Sequence, residues 1–229
     1  MTVSPLAFDI ETVGVDWDSL EPEIQEYLLS RAKTDEERRT VPERLGLHPG
    51  TGRVVAIGLW RPEEKRGGVL LEGEPADWSP FEDNAQIFRG SEERILKEFW
   101  RYVRDHAGTL ISYNGRAFDG PFLMLRSVLL GVAPTRNLVP YRYSFKDHCD
   151  LAEVVTFFRA RPMESFDFWC RRFGLASPKE GMDGSAVADY YAAGDLLAIG
   201  RYCLADARQT AELYLRLLPL IQLHDGTGG

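Results

Sequence analysis

Near its start the chain runs Phe8-Asp9-Ile10-Glu11-Thr12, which sets two carboxylates two residues apart in a short apolar stretch. A strand alternates its faces, so Leu6, Phe8 and Ile10 would face a core while Asp9 and Glu11 stand side by side on the opposite face. At strand spacing the two carboxylates lie about 7 Å apart, within reach of one hard, oxygen-seeking cation such as Mg²⁺ or Mn²⁺. The same alternation marks any half-buried strand, so the pair alone does not separate a metal site from an ordinary solvated sheet face.

Two later clusters bear on that choice. Residues 109–113 read as a strand, Asn114-Gly115 as a turn, and Asp119-Gly120-Pro121 as the opening of a helix that runs through Phe122, Leu123 and Leu129. Asp119 then lies at a helix N-terminus beside the carboxyl end of a strand, the edge at which open α/β sheets bind ligands. An aspartate in that place also stabilises a helix start without doing chemistry. The third cluster, Tyr202-Cys203-Leu204-Ala205-Asp206, sits inside an amphipathic pattern over residues 196–217. Tyr202 and Asp206 are four residues apart and share a helix face. The stripe of Leu196, Ile199, Cys203, Thr210, Leu213 and Leu217 is that of a core helix, with Tyr202 at the boundary of its buried face.

Taken in order, FDIET, YNGRAFD and YCLAD resemble the three motifs of the DEDD superfamily of 3′-5′ exonucleases, the group that includes polymerase proofreading domains. The position five before the last aspartate is Arg201 and the position four before it is Tyr202, so the match is to the tyrosine branch, DEDDy. The stretch Lys179-Glu180-Gly181-Met182-Asp183-Gly184-Ser185 is further similar to stand-alone relatives of the exonuclease domain of family B DNA polymerases. The resemblance covers most of the chain, residues 6–217. It implies an α/β, ribonuclease H-like fold with a mixed five-stranded sheet flanked by helices. It also implies a hydrolase that releases nucleoside monophosphates from the 3′ end of single-stranded or frayed DNA or RNA, using two divalent ions, Mg²⁺ or Mn²⁺. By the same resemblance Asp9 bridges the ions, Glu11 and Asp206 complete the site of the attacking water, and Asp119 serves the second ion. Tyr202 would orient that water, and Thr12, Asn114 and Phe118 are candidate substrate contacts. Two other readings share the fold. One is a non-catalytic nucleic-acid-binding module in a polymerase or repair complex, against which the intact set of carboxylates argues. The other is an endonuclease or a hydrolase of dinucleotides.

Length and composition agree with this. With 229 residues, 44% of them hydrophobic, and no Pro/Gly/Ser-rich linker, one domain over 1–229 with a full core is expected. No charged segment leads into an apolar run, and no apolar stretch approaches the ~18 residues of a membrane span. A cytoplasmic protein without a membrane partner is therefore expected. Cys149, Cys170 and Cys203 are scattered, which supports neither a disulfide framework nor a zinc knuckle. His48, His106, His148 and His224 are scattered as well, leaving carboxylates as the metal ligands. The net charge of −8 runs against a nucleic-acid substrate. Residues 9–37, however, hold ten acids against Arg31 and Lys33, which equals the whole excess. The remainder is close to neutral, and two divalent ions would cancel the charge of Asp9, Glu11, Asp119 and Asp206. An enzyme that grips a few nucleotides at a metal centre fits this balance better than an extended duplex binder.

The elements that would hold these side chains are strands at 6–12, 54–60, 69–71, 109–113 and 143–149, with a helix at 92–104. The chain is mostly helical from Leu151 onward. Residues 13–50 read as an acidic, partly helical insertion with an amphipathic surface helix at 21–32, and 225–229 as a frayed tail. Between Arg136 and Phe173 bases alternate with aromatics, a mixture that can hold unpaired nucleotides. Phe157, Phe158, Trp169 and Phe173 are the expected core members there, and Arg159, Arg161, Arg171 and Arg172 the expected phosphate contacts.

Overall fold

The computed structural model describes residues 4–74, 77–82, 84–176 and 183–224. Its strands are β1 (Leu6–Gly14), β2 (Gly52–Arg61), β3 (Arg66–Glu72), β4 (Trp78–Glu82), β5 (Ala85–Gly90), β6 (Leu110–Ser112) and β7 (His148–Asp150). The helices are α1 (Pro22–Ser30), α2 (Asp35–Thr40), α3 (Glu92–Asp105), α4 (Asp119–Leu129), α5 (Leu151–Thr156), α6 (Phe166–Arg172), α7 (Val187–Ala192) and α8 (Leu196–His224). The stretch 179–182 of the Lys179–Ser185 resemblance and the tail 225–229 lie outside the described residues.

The strands form one mixed sheet in the order β4-β5-β3-β2-β1-β6-β7. β1 runs parallel to β6, β6 to β7 and β3 to β5, while β1–β2, β2–β3 and β4–β5 are antiparallel. The sheet has seven strands and not the expected five. The five expected strands are present, and the β4–β5 pair extends the sheet beyond β3. β4 carries no apolar alternation, because its residues are exposed or only partly buried at the sheet edge.

Alternation along β1 divides the core in two. Leu6, Phe8 and Ile10 pack with Ile95, Phe99 and Trp100 of α3 and with Phe122 and Leu123 of α4. Ala7 and Val13 of the other face pack with Ala56 and Trp60 of β2 and with Ile199, Cys203, Leu204 and Ala207 of α8. The face carrying Asp9 and Glu11 is therefore roofed by α8 and is not a solvated sheet surface. α3 follows its pattern closely, with glutamates in its first turn and Arg104 in its last, an arrangement favourable to the helix dipole. The insertion contains α1, α2 and two 3₁₀ turns, Trp17–Ser19 and Pro42–Leu47, and β1 runs two residues into its expected range.

Candidate active site

Three local devices bring the carboxylates together. The first is a bulge. The β1–β2 register pairs Glu11 with Ala56 but Thr12 with Val54, so β2 carries an extra residue opposite Glu11. The Val54 N–H donates to the buried Glu92 carboxylate (2.8 Å), which also takes both ends of the Arg126 guanidinium (2.8 and 2.9 Å). Glu92 thus ties the bulged strand to α4, the helix that begins with Asp119.

The second device is the shortness of β6. It pairs with β1 only at Leu6 and Ala7. Past that point the Ile10 N–H, flanked by Asp9 and Glu11, donates to Asp119 Oδ1 across 3.2 Å. Asp119 is the first residue of α4, and this bond to a strand 109 residues away gives it a role beyond capping its own helix. The loop before it is fixed from below by Asp150, which sequence reasoning missed. Asp150 is fully buried and accepts from the N–H groups of Asn114 (2.7 Å), Arg116 (3.0 Å) and Ala152 (3.0 Å). An aspartate between a strand and a helical run is a helix-start signal, and Asp150 caps α5 while holding the loop. Asn114 takes the left-handed conformation of the turn, with φ +64°.

The third device is Gly58, which pairs with Asp9 on β2. A Cβ there would lie 2.3 Å from the Cys203 carbonyl oxygen, so the backbone of α8 rests directly on the sheet beside Asp9. The Cys203 thiol donates to the Asp9 carbonyl (3.4 Å), and Tyr202 and Asp206 flank it on the helix. Ligand atoms of Asp9, Glu11 and Cys203 lie within 4.8 Å of one another. Asp9, Tyr202 and Asp206 line a cavity of about 210 Å³ with Tyr113, Ser165, Phe166, Asp167 and Thr210. Ser165, Phe166 and Asp167 carried no signal as site residues, because the start of α6 reaches the site only through tertiary packing, whereas Tyr113 opens the YNGRAFD motif and Thr210 lies on the α8 stripe.

The electrostatics are those of crowded, buried anions. Burial holds the Asp9 carboxyl well above its ordinary range, and Asp206, Asp119 and Glu11 push it further. Glu11 is raised by burial and then by Asp206 and Asp119. Burial lifts Asp119 to about 7 against hydrogen bonds from backbone N–H groups that favour its charge. Asp206 is likewise lifted to about 7 by burial, with the Tyr202 hydroxyl opposing. Among the described residues no lysine or arginine forms an ion pair with any of the four, and Asp206 Oδ1 is buried without a hydrogen-bond partner. The four carboxylates, uncompensated by protein cations, offer oxygen donors that fit hard divalent ions, and the Cys203 thiol beside Asp9 and Glu11 is kept protonated by burial.

The remaining candidates are distributed differently. Asn114 Oδ1 accepts from Arg159 Nη2 (2.6 Å) on the loop leading to Asp119. Phe118 packs against Phe122, with ring centroids 5.6 Å apart. The Thr12 hydroxyl is not brought to the carboxylates and donates to Gly46 O (2.7 Å) in the insertion. Of the expected core aromatics, Phe158, Trp169 and Phe173 pack against the α8-side core. Phe157 does not: it is 56% exposed, because the chain turns left-handed at residues 157–159 and swings its ring outward. Arg171 pairs with Asp167 (2.9 Å), and Arg161 and Arg172 are exposed.

The fold and the site together define a ribonuclease H-like α/β protein with a buried carboxylate centre. Residues 81–224 match the family described as predicted 3′-5′ exonucleases related to the exonuclease domain of PolB, and the chain belongs to that family. The matched span contains Asp119, Tyr202 and Asp206, while Asp9 and Glu11 precede it and join them through β1. Among solved structures the chain is similar to the family B DNA polymerase of the hyperthermophilic archaeon Pyrobaculum calidifontis, with 22% identity and a TM-score of 0.61. That likeness is one of fold. It covers 98% of this chain and 27% of the polymerase, so the chain spans about a quarter of the polymerase's length.

Proposed function

We propose that the chain is a DEDDy-type 3′-5′ exonuclease that releases nucleoside monophosphates from single-stranded or frayed 3′ ends. The observation that carries this reading is the convergence of Asp9, Glu11, Asp119 and Asp206, from β1, α4 and α8, into one buried cluster without a protein cation. Asp9, Glu11 and Asp206 would hold one divalent ion, and Asp9 with Asp119 a second, as Mg²⁺ or Mn²⁺. Bound there, two such ions neutralise the cluster and stabilise charge on the attacking and leaving oxygens of an in-line displacement.

The chain's own part is to position. Asp119 is held by the Ile10 N–H and Asp206 by its place on α8, so the carboxylates are fixed before substrate arrives. Burial and the neighbouring carboxylates raise the Tyr202 phenol above its ordinary range, which keeps its proton in place at neutral pH. Tyr202 therefore orients the attacking water by hydrogen bonding and does not act as its base.

Digestion of end-labelled single-stranded DNA, single-stranded RNA and mismatched duplex, side by side with Mg²⁺ and with Mn²⁺, tests the reading. Mononucleotide release from free 3′ ends, slowed by a 3′-phosphate and indifferent to a 5′ block, is expected. Attack on a 3′-blocked strand from its 5′ end, or internal cleavage of a circular strand, would overturn it.

A further inference from the structure

Beside the carboxylate centre lies a second cavity, of about 550 Å³, whose walls include none of the four carboxylates. Its walls include Asn114, Arg116, Arg142, Glu153 and Arg159, so the loop that leads to Asp119 forms one side of it. Three guanidinium groups meet there, and their charges are not all spent. Glu153 pairs with Arg116 (3.2 Å) and with Arg142 (2.9 Å). Asp150, the other carboxylate nearby, has its oxygens occupied by the three backbone N–H groups of the Asn114 loop and α5. Among the described residues Arg159 donates hydrogen bonds to neutral acceptors, Asn114 Oδ1 (2.6 Å) and Met163 Sδ (2.8 Å), and its charge acts on Asp150 and Glu153 without forming an ion pair with either. Arg116 Nη1 is left with no partner.

The backbone that presents Arg159 is itself unusual. Phe157, Phe158 and Arg159 take φ values of +51°, +57° and +69°, three consecutive non-glycine residues in the left-handed region. Such a turn persists only where the surroundings hold it, and strain of this kind gathers at ligand sites. Here the Phe158 ring is the anchor, stacked on Phe145 at 5.1 Å. With that ring fixed, the turn aims Arg159 across the cavity mouth at the Asp119 loop.

We propose that this cavity binds a non-scissile phosphodiester of the substrate strand, with Arg159 as its contact and Arg142 at its rim. The proposal rests on the exonuclease reading for its substrate. Three guanidinium groups stand against the two carboxylates Asp150 and Glu153, and a guanidinium whose hydrogen-bond acceptors are neutral suits a phosphate, whose oxygens accept from planar N–H donors. Contact one to three linkages upstream of the cut makes the enzyme favour a chain over a single nucleotide.

The test uses single-stranded oligonucleotides in which one linkage, at the second, third or fourth position from the 3′ end, is a neutral methylphosphonate. Binding is read by fluorescence anisotropy with Ca²⁺ in place of Mg²⁺. The ratio of kcat/KM for the strand to that for the p-nitrophenyl ester of thymidine 5′-phosphate is read with Mg²⁺. In the wild type one of the three neutral linkages should weaken binding about tenfold. Arg159→Ala should lose about the same on the unmodified strand and become indifferent to that linkage, the strand-to-ester ratio should fall about tenfold, and Arg159→Lys should recover part of the loss. Arg142→Gln gives the same comparison if Arg159→Ala melts early. Equal binding of all three neutral strands by the wild type, or losses that multiply in Arg159→Ala, would overturn the proposal. A wild type that binds as expected but cleaves neither strand nor ester retains the phosphate site and removes the exonuclease reading.

Discussion

Gly58→Ala is the sharpest test of how the fold assembles the site. The added methyl would sit 2.3 Å from the Cys203 oxygen, 2.8 Å from its carbonyl carbon and 3.1 Å from Ala207 Cβ. The two closest atoms are α8 backbone, so no side chain can rotate away. Restoring ordinary carbon contact near 3.5 Å requires the helix to withdraw by about 1 Å. Overpacking of this kind costs about 1–3 kcal/mol, which for a protein of this size lowers Tm by roughly 3–10 °C. Activity should fall further than stability, because Tyr202 and Asp206 travel with the helix. A displacement of about 1 Å at a reacting group costs about a hundredfold in rate. Thermal unfolding and kcat on a single-stranded oligonucleotide, measured on the same preparation, check both. If Gly58→Ala keeps the wild-type Tm and kcat, α8 does not depend on the bare backbone at Gly58 and the account of how Asp206 reaches Asp9 is wrong.

Other expectations follow from the same geometry. Tyr202→Phe should keep the fold and lower kcat roughly ten- to a thousandfold, the loss of one transition-state hydrogen bond of about 1.5–4 kcal/mol; an unchanged kcat removes the hydroxyl from the mechanism. Asp119 and Asp206 titrate near 7 in the folded, metal-free chain against an ordinary value of 3.8. The folded state therefore binds more protons between those values, and its stability should fall as pH rises from 5 to 7. Thermal unfolding in EDTA across that range reads the slope, and a flat or rising curve contradicts the burial of these carboxyls. Asp150→Ala strips the acceptor from three backbone N–H groups at a cost of more than about 2 kcal/mol, so it should lower the denaturant midpoint while leaving the four carboxylates in the sequence untouched.

What the sequence made legible follows from range. β1, α3, α4 and α8 each write their period into side chains that face a core, and the three motifs ride on those elements. Elements held by pairing alone were harder to read. β4 is an edge strand with Pro80 and exposed side chains. Of the expected strand over 143–149, only His148 and Cys149 are extended, and β7 runs one residue past that range to Asp150, because its neighbour β6 is itself three residues long. Phe157 reads as core by type and is turned outward by backbone conformation. Asp150 carries a helix-start signal for α5, but its hold on the backbone N–H groups of Asn114 and Arg116 is a tertiary contact that no local pattern reveals, and Gly58 matters for what it lacks.

The central claim is that divalent ions at Asp9, Glu11, Asp119 and Asp206 drive hydrolysis from the 3′ end. The most direct measurement is the time course of a 5′-labelled single strand titrated with Mn²⁺, for the wild type and for Asp9→Asn shown by its melting curve to be folded. The account predicts stepwise shortening from the 3′ end that saturates with Mn²⁺ and falls more than tenfold in Asp9→Asn, a barrier increase above about 1.4 kcal/mol. Shortening that proceeds in EDTA, or that persists at the wild-type rate in folded Asp9→Asn, would contradict it.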